Sequence, residues 1–192
     1  MNRYLKIRYL FDRLIALLVL PLCIPILMII SLIQFFVFGE IIFVQQRSGL
    51  NGRVFTLFKF ISMQYDEEKT EEERIPAWGR WMRRTGLDEL PQLLNIISGE
   101  MAFIGPRPLL AEYNALYNLQ QKERLNIKPG ITGYAQATHR NDTTWKQRFE
   151  HDLYYVKHAS LWLDLKILTK SFLHILRGSP SIIMNKFEGN RD

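Results

Sequence analysis

Twenty-six consecutive residues without a charge, Leu14 to Gly39 (LIALLVLPLCIPILMIISLIQFFVFG), constrain this chain more than anything else in it. As a helix the run would be about 39 Å long, enough to cross a hydrocarbon core of about 30 Å with some tilt. A secretory leader is the nearest competitor, because Arg3, Lys6, Arg8 and Arg13 precede the run. The stretch is too long for a leader and no A-x-A-like site follows it, so the segment is expected to stay in the mature protein.

Pro21 and Pro25 stand near its middle. Each removes a helix hydrogen bond and crowds the preceding turn, so a sharp bend is expected there. Arg3, Lys6, Arg8 and Arg13 flank one end; Arg47, Arg53 and Lys59 follow the other. The Lys/Arg asymmetry that orients a simple span is therefore missing. A helix that breaks at the prolines and returns to the face it entered suits both flanks, if the freed backbone groups find internal partners. A kinked single span is the other arrangement, and composition leaves both open.

Charge and cysteine content exclude several classes. The 192 residues carry a formal charge of +6, which suits either nucleic acid or an anionic membrane surface. The apolar run decides for the membrane, and no nucleic-acid partner is expected. With 47% hydrophobic and 23% charged residues, wholesale disorder is excluded. Cys23 is the single cysteine, which excludes a disulfide framework and Cys-based zinc sites, and four scattered histidines offer no His-only site.

The length fits one domain with appendages. Residues 1–40 are expected to form the membrane segment, 41–178 a folded domain and 179–192 an irregular tail. Residues 41–60 have the pattern of a β-hairpin around Asn51-Gly52. The acidic run 66–74 is expected to be a solvated loop. Residues 76–84 (PAWGRWMRR) suit an interfacial segment or a small core helix. Helical spacing marks 88–97, 107–126, 144–158 and 160–177; the last is apolar over a wide face and suits a bilayer surface or a buried position. The expected fold is α+β, mostly α: a membrane helix bent at its prolines, re-entrant or spanning, a small β-hairpin and amphipathic helices that suit the interface or a core.

Chemistry concentrates around Asp88 and Glu89, adjacent acids at a predicted helix start, where they also suit the helix dipole. Arg83 and Arg84 lie just upstream, and Gly105-Pro106-Arg107-Pro108 follows one short helix later. Prolines on both sides restrict the arginine, whose planar fork suits phosphate. Carboxylates among cations point to phosphoryl chemistry, with one oxygen attacking phosphorus and another holding a divalent metal. No P-loop, dinucleotide-binding or nucleophile-elbow pattern is present.

The ordered blocks FDRLIA, IIFVQQRSGLNGRVFTLFKF, RRTGLDELPQLLN, GEMAFIGPRP, KPGITGYAQ and LDLKIL resemble the bacterial sugar transferases. The resemblance is to the small, single-domain polyprenol-phosphate phosphoglycosyl transferases of the PglC type, and it runs from about Tyr4 to Arg177. It implies transfer of a sugar-1-phosphate from a UDP-sugar to polyprenol (undecaprenyl) phosphate at the cytoplasmic face of the bacterial inner membrane, releasing UMP. This would be the first membrane step of glycoconjugate biosynthesis, among membrane lipids and ahead of downstream glycosyltransferases. An N-acetylated amino sugar is the expected donor. By the same resemblance Asp88 would attack the β-phosphorus and form a phosphoglycosyl-aspartate in a ping-pong mechanism. Glu89, with Asp88, would hold Mg²⁺. Lys59, Arg83, Arg107, Arg140 and Asp164 match recurrent polar positions, and Arg107 with Pro106 and Pro108 would bind the nucleotide diphosphate. The family's re-entrant helix breaks at a Ser-Pro step that falls on Ile24-Pro25. Ile24, Ile61, Gly86 and His139 depart from the family pattern. The alternative from another class is a catalytically silent membrane-surface scaffold for glycosyltransferases.

Overall fold

The apolar run belongs to α1 (Arg3–Phe38), one helix of 36 residues in the computed structural model, which describes residues 2–66, 68–70, 73–138, 144–177 and 186–189. The Asn2 side chain caps its start by accepting from the Tyr4 N–H, and Gly39, at φ 75°, ends it. The break expected at the prolines is absent, because α1 runs helical through both Pro21 and Pro25. The two rings are exposed, one turn apart, on the side of α1 that faces away from the rest of the chain. Their missing N–H groups therefore interrupt only that side of the ladder, while the packed side continues.

The packed side is a stripe at spacings of three and four: Leu5, Tyr9, Asp12, Ala16, Ile30 and Gln34 are buried, with Cys23 and Leu27 half-buried between them. Three parts of the core lie along this stripe. Leu5 and Tyr9 pack with Ile104, Ile127, Tyr155 and Ile167. Ala16 packs with Phe55, Leu57, Leu93, Ile96 and Met101. Ile30 packs with Phe60 and Met82. A cleavable leader would not organise the core of the domain it leaves. The opposite face is apolar and bare, with Leu18 73%, Leu22 80% and Phe36 77% exposed, which suits lipid and not water.

The expected hairpin is present. β1 (Ile42–Ser48) and β2 (Val54–Phe60) pair antiparallel, Ile42 opposite Phe60 and Ser48 opposite Val54. The turn uses Asn51 at φ 56° and Gly52 at φ 74°, conformations these residue types tolerate best. α2 (Ala77–Thr85) follows, its Trp78 and Met82 turned inward and its Trp81 exposed, so the Trp/Arg segment is core helix and outer surface at once. A 3₁₀ turn (Leu87–Gln92) then leads into α3 (Leu93–Ser98).

Between β3 (Ala102–Ile104) and its parallel partner β4 (Gly130–Thr132) the continuous helix expected over 107–126 is not formed. Instead the chain makes a 3₁₀ turn (Ala111–Ala115), α4 (Leu119–Lys122) and a second 3₁₀ turn (Glu123–Asn126). Asn118 and Gln121 exchange side-chain and backbone hydrogen bonds in a capping box, which restarts the helix at that point. The β3–β4 crossing leaves no room for side chains. A Cβ on Gly105 would lie 2.3 Å from the Lys128 carbonyl oxygen, and one on Gly130 would lie 2.1 Å from the Gly105 nitrogen.

α5 (Tyr134–Thr138), α6 (Trp145–His158) and α7 (Leu161–Leu176) complete the fold, the last two close to their expected bounds. α7 buries Asp164 and Ile167 and leaves Leu161, Trp162, Leu165, Leu168, Phe172 and Leu176 exposed. The tail is not wholly separate, because Phe187 packs with Tyr113, Tyr117 and Phe149.

Candidate active site

Asp88 and Glu89 sit on the 3₁₀ turn that Gly86 introduces. Gly86, at φ 74°, ends α2 and starts the turn in a left-handed conformation that a side chain would strain. Asp88 is only 6% exposed, yet among the described residues nothing donates a hydrogen bond to its carboxylate. Burial first, and then the charge of Glu89, push its pKa up to about 6, against the pull of Lys59, Arg107 and Arg83. Lys59, on β2, is pushed down to about 8 by burial, and Asp88 partly restores it.

Each cation is held by a different element. Lys59 lies over the Phe43 ring, 5.0 Å from its centroid, across the hairpin. The hairpin is fixed to the DELPQLLN block by Asn95, which is wholly buried. Its Nδ2 donates to the Thr56 carbonyl (2.7 Å) and its Oδ1 accepts from the Phe58 N–H (3.2 Å). Arg83 donates through Nε to Ser62 Oγ at 2.8 Å. Arg107 donates through Nη1 to Glu89 Oε1 at 3.0 Å, and the Glu89 charge raises its pKa.

The Gly105-Pro106-Arg107-Pro108 loop is braced from two sides. Arg124 forms a buried ion pair with Asp152 (2.8 Å) and donates to the Arg107 carbonyl (2.7 Å). Arg47 donates through Nη1 to the Pro108 carbonyl at 3.2 Å. Sequence reasoning missed Arg47, Arg124 and Asp152. Their signal is spatial: Arg124 and Asp152 are 28 positions apart, with no motif linking them.

The structure thus brings together Lys59, Arg83, Asp88, Glu89 and the loop carrying Pro106, Arg107 and Pro108. It does not bring Asp164 to this group. Asp164 accepts from Tyr4 (2.5 Å), Tyr155 (2.6 Å) and Arg8 (2.8 Å), while Arg8 Nη2 donates to the Ile104 carbonyl (2.8 Å). It fastens the start of α1 and α7 beneath the Gly105 loop. Arg140 and His139 lie outside the described residues.

Gln34 fastens the other end of α1. It is fully buried; its Nε2 donates to the Ile61 carbonyl and lies 3.2 Å from Met82 Sδ, and Trp78 Nε1 donates to its Oε1 at 3.3 Å. Gln34→Leu leaves the Ile61 carbonyl and the Trp78 N–H without partners beside the Lys59 strand. A loss of about 1–3 kcal/mol is expected in denaturant unfolding in detergent. Wild-type stability in that variant would show that Gln34 is not a fastening.

A family profile described as bacterial sugar transferase matches residues 2–178. The chain belongs to that family. It is 40% identical, over 87% of its length and 88% of the relative's, to an uncharacterized sugar transferase, EpsL, of Bacillus subtilis. It is 35% identical, over 91% of its own length, to a UDP-glucose:undecaprenyl-phosphate glucose-1-phosphate transferase of Xanthomonas campestris. It is also 35% identical, over 72% of its length, to an undecaprenyl-phosphate galactose phosphotransferase of Salmonella typhimurium. The chain spans nearly all of the Bacillus relative but only 40% and 34% of the other two. With α1 the one described helix long and apolar enough to cross a membrane, this sugar transferase is a membrane protein.

Proposed function

We propose that this chain transfers a sugar-1-phosphate from a UDP-sugar to polyprenol phosphate through a covalent intermediate on Asp88. The observation that carries it is the Asp88 carboxylate itself: buried, without a hydrogen-bond donor among the described residues, and flanked by Glu89, Lys59, Arg83 and Arg107. An Asp88 oxygen attacks the β-phosphorus, the bond to the α-phosphate oxygen breaks, and UMP leaves with its electron pair. A lipid phosphate oxygen then attacks the same phosphorus and frees the carboxylate. Arg107 and Lys59 offset the charge that two phosphates bring to this pocket.

The donor set fits Mg²⁺, which takes one or two carboxylates together with substrate phosphates. Glu89 Oε2 and both Asp88 oxygens receive no hydrogen bond among the described residues, and no group of three or more potential ligands forms there. When bound, the ion would supply positive charge to the phosphoryl oxygens; Glu89 and Asp88 would hold it. Intact-mass analysis after mixing the protein with a UDP-sugar and Mg²⁺, without lipid phosphate, is expected to show one sugar-phosphate on Asp88, and chelation should prevent it. UMP release with no adduct on rapid quenching would defeat the covalent route. The donor panel should include N-acetylated amino sugars as well as glucose and galactose. The amino sugar is the expectation from the sequence blocks, and the relatives are named for the two hexoses.

The site would work at the cytoplasmic face of the inner membrane, passing its product to downstream glycosyltransferases, with α1 kinking at Pro21 and Pro25 while staying helical, so that both of its ends lie on that face. Support for that topology comes from the polar fastenings at its two ends, Arg8 to Asp164 and Gln34 to Ile61, which engage one and the same domain. Cysteines placed at Asn2 and at Lys186, with Cys23 replaced, are both expected to resist a periplasm-only thiol reagent in intact cells. Labelling at Asn2 alone would establish a full span.

A further inference from the structure

Beyond the carboxylate pair, cations crowd around Arg107 without matching acids. Arg47 reaches the Pro108 carbonyl through Nη1 and its neighbour Gln45 Oε1 through Nη2 from β1, whose end is bonded to the same segment through Ser48 N–H to the Leu109 carbonyl (3.0 Å). Arg148 comes from α6, one turn before Asp152, and lies 5.3 Å from the centroid of the Trp145 ring. Asp152 is itself committed to Arg124, whose Nη2 holds the Arg107 carbonyl. Residues 107–110 are therefore the point on which β1, α6 and Arg124 converge.

Among the described residues neither Arg47 nor Arg148 forms an ion pair, and Arg47 Nε is buried without a hydrogen-bond partner. Burial and the neighbouring Arg107 charge push both guanidinium pKa values down to about 10. Folding thus holds like charges together at a cost, with Glu89 the one carboxylate paired to Arg107 among the described residues. An arrangement of that kind is stable in use when an anion completes it.

We propose that Arg47, Arg107 and Arg148 form a phosphate-monoester pocket beside the Asp88–Glu89 centre, with Arg47 and Arg148 as further substrate-binding residues. The forked donors suit a group with three terminal oxygens. Both released UMP and polyprenol phosphate carry one. The inference rests on the transferase reading for the identity of these ligands; binding in the absence of turnover tests it separately.

The test uses the full chain in nanodiscs, with chelator and no UDP-sugar. One arm titrates UMP calorimetrically; the other raises the fraction of undecaprenyl phosphate in the disc and follows the melting temperature. Arg148→Gln and Arg47→Gln should each weaken binding in one arm by about tenfold or more, and that arm identifies the occupant. Without ligand, Arg148→Gln should melt no lower than wild type, since it relieves repulsion; a merely structural arginine would lower it. Arg148→Lys, which keeps charge and loses the fork, should fall between the two. Wild-type affinity for both ligands in a folded Arg148→Gln or Arg148→Lys protein overturns the pocket. Lost UMP binding in a protein whose wild type forms no Asp88 adduct would keep the pocket and remove the covalent mechanism.

Discussion

The Asp88→Asn protein is expected to release no UMP and to carry no sugar-phosphate adduct, a loss of about four orders of magnitude or more in turnover. The amide keeps the shape of the carboxylate and removes the anionic oxygen that must attack phosphorus. The fold should not suffer, because no hydrogen bond among the described residues depends on this side chain and its ionised form is already disfavoured by burial. The unliganded variant should therefore melt at or above the wild-type temperature. Asp88→Glu keeps the charge and moves it by one methylene, and a displacement of about 1 Å at a reacting atom costs about a hundredfold. Wild-type turnover in Asp88→Asn would end the assignment of this residue as nucleophile.

The same carboxylate sets a pH dependence whose sign can be worked out. Attack needs the deprotonated form, and burial places its pKa at about 6, so kcat/KM should fall as pH drops below that value. Lys59 must keep its proton to offset phosphate charge, and burial lowers it to about 8, so a second fall should begin above that pH. The profile of the free enzyme is therefore a bell, with its acid limb set by Asp88 and its basic limb by Lys59. A carbon-13 titration of the Asp88 carboxyl in metal-free protein checks the acid limb directly. A midpoint at or below 4 would contradict the burial argument.

Sequence revealed this centre because its residues lie in short blocks. Asp88 and Glu89 are adjacent, and Arg107 is pinned between prolines 18 positions after Glu89. The hairpin was equally legible, since alternation and Asn51-Gly52 are local signals, and α6 and α7 declared themselves by helical spacing. What remained hidden depends on contacts across the chain. β3 and β4 are three residues each, too short for any periodicity, and they exist because Gly105 and Gly130 let two backbones touch. In sequence the prolines of α1 suggest a break, because one side of a helix cannot be told from the other without knowing what it packs against. Asp164 matched a recurrent position yet serves Arg8, 156 positions away, and not the carboxylate pair. Arg47, Arg124 and Arg148 are ordinary surface-type residues in sequence; only the folded chain sets Arg47 and Arg124 on the backbone of the Arg107 loop and Arg148 one turn from Asp152.

Asp152→Ala is expected to lower unfolding stability by about 3–5 kcal/mol, a large share of what a domain of this size possesses. Arg124 and Asp152 are each 2% exposed, so the substitution leaves a guanidinium in the interior with no opposing charge. Arg124 donates to Asp152 Oδ2 through both Nε (3.0 Å) and Nη2 (2.8 Å), and both bonds would be lost together. Stability alone would not show that the pair serves the site, so a second variant separates the two roles. Replacing Arg124 by Met and Asp152 by Leu removes both charges and keeps most of the volume, which should restore stability to near wild type. It also removes the donor to the Arg107 carbonyl, leaving the Gly105–Pro108 loop without its brace from α6. The double variant should therefore fold and yet bind UDP-sugar poorly, seen as a raised KM. A double variant with wild-type KM would show that Arg124 stabilises the domain without positioning Arg107, and an Asp152→Ala protein within about 1 kcal/mol of wild type would show that the pair does neither.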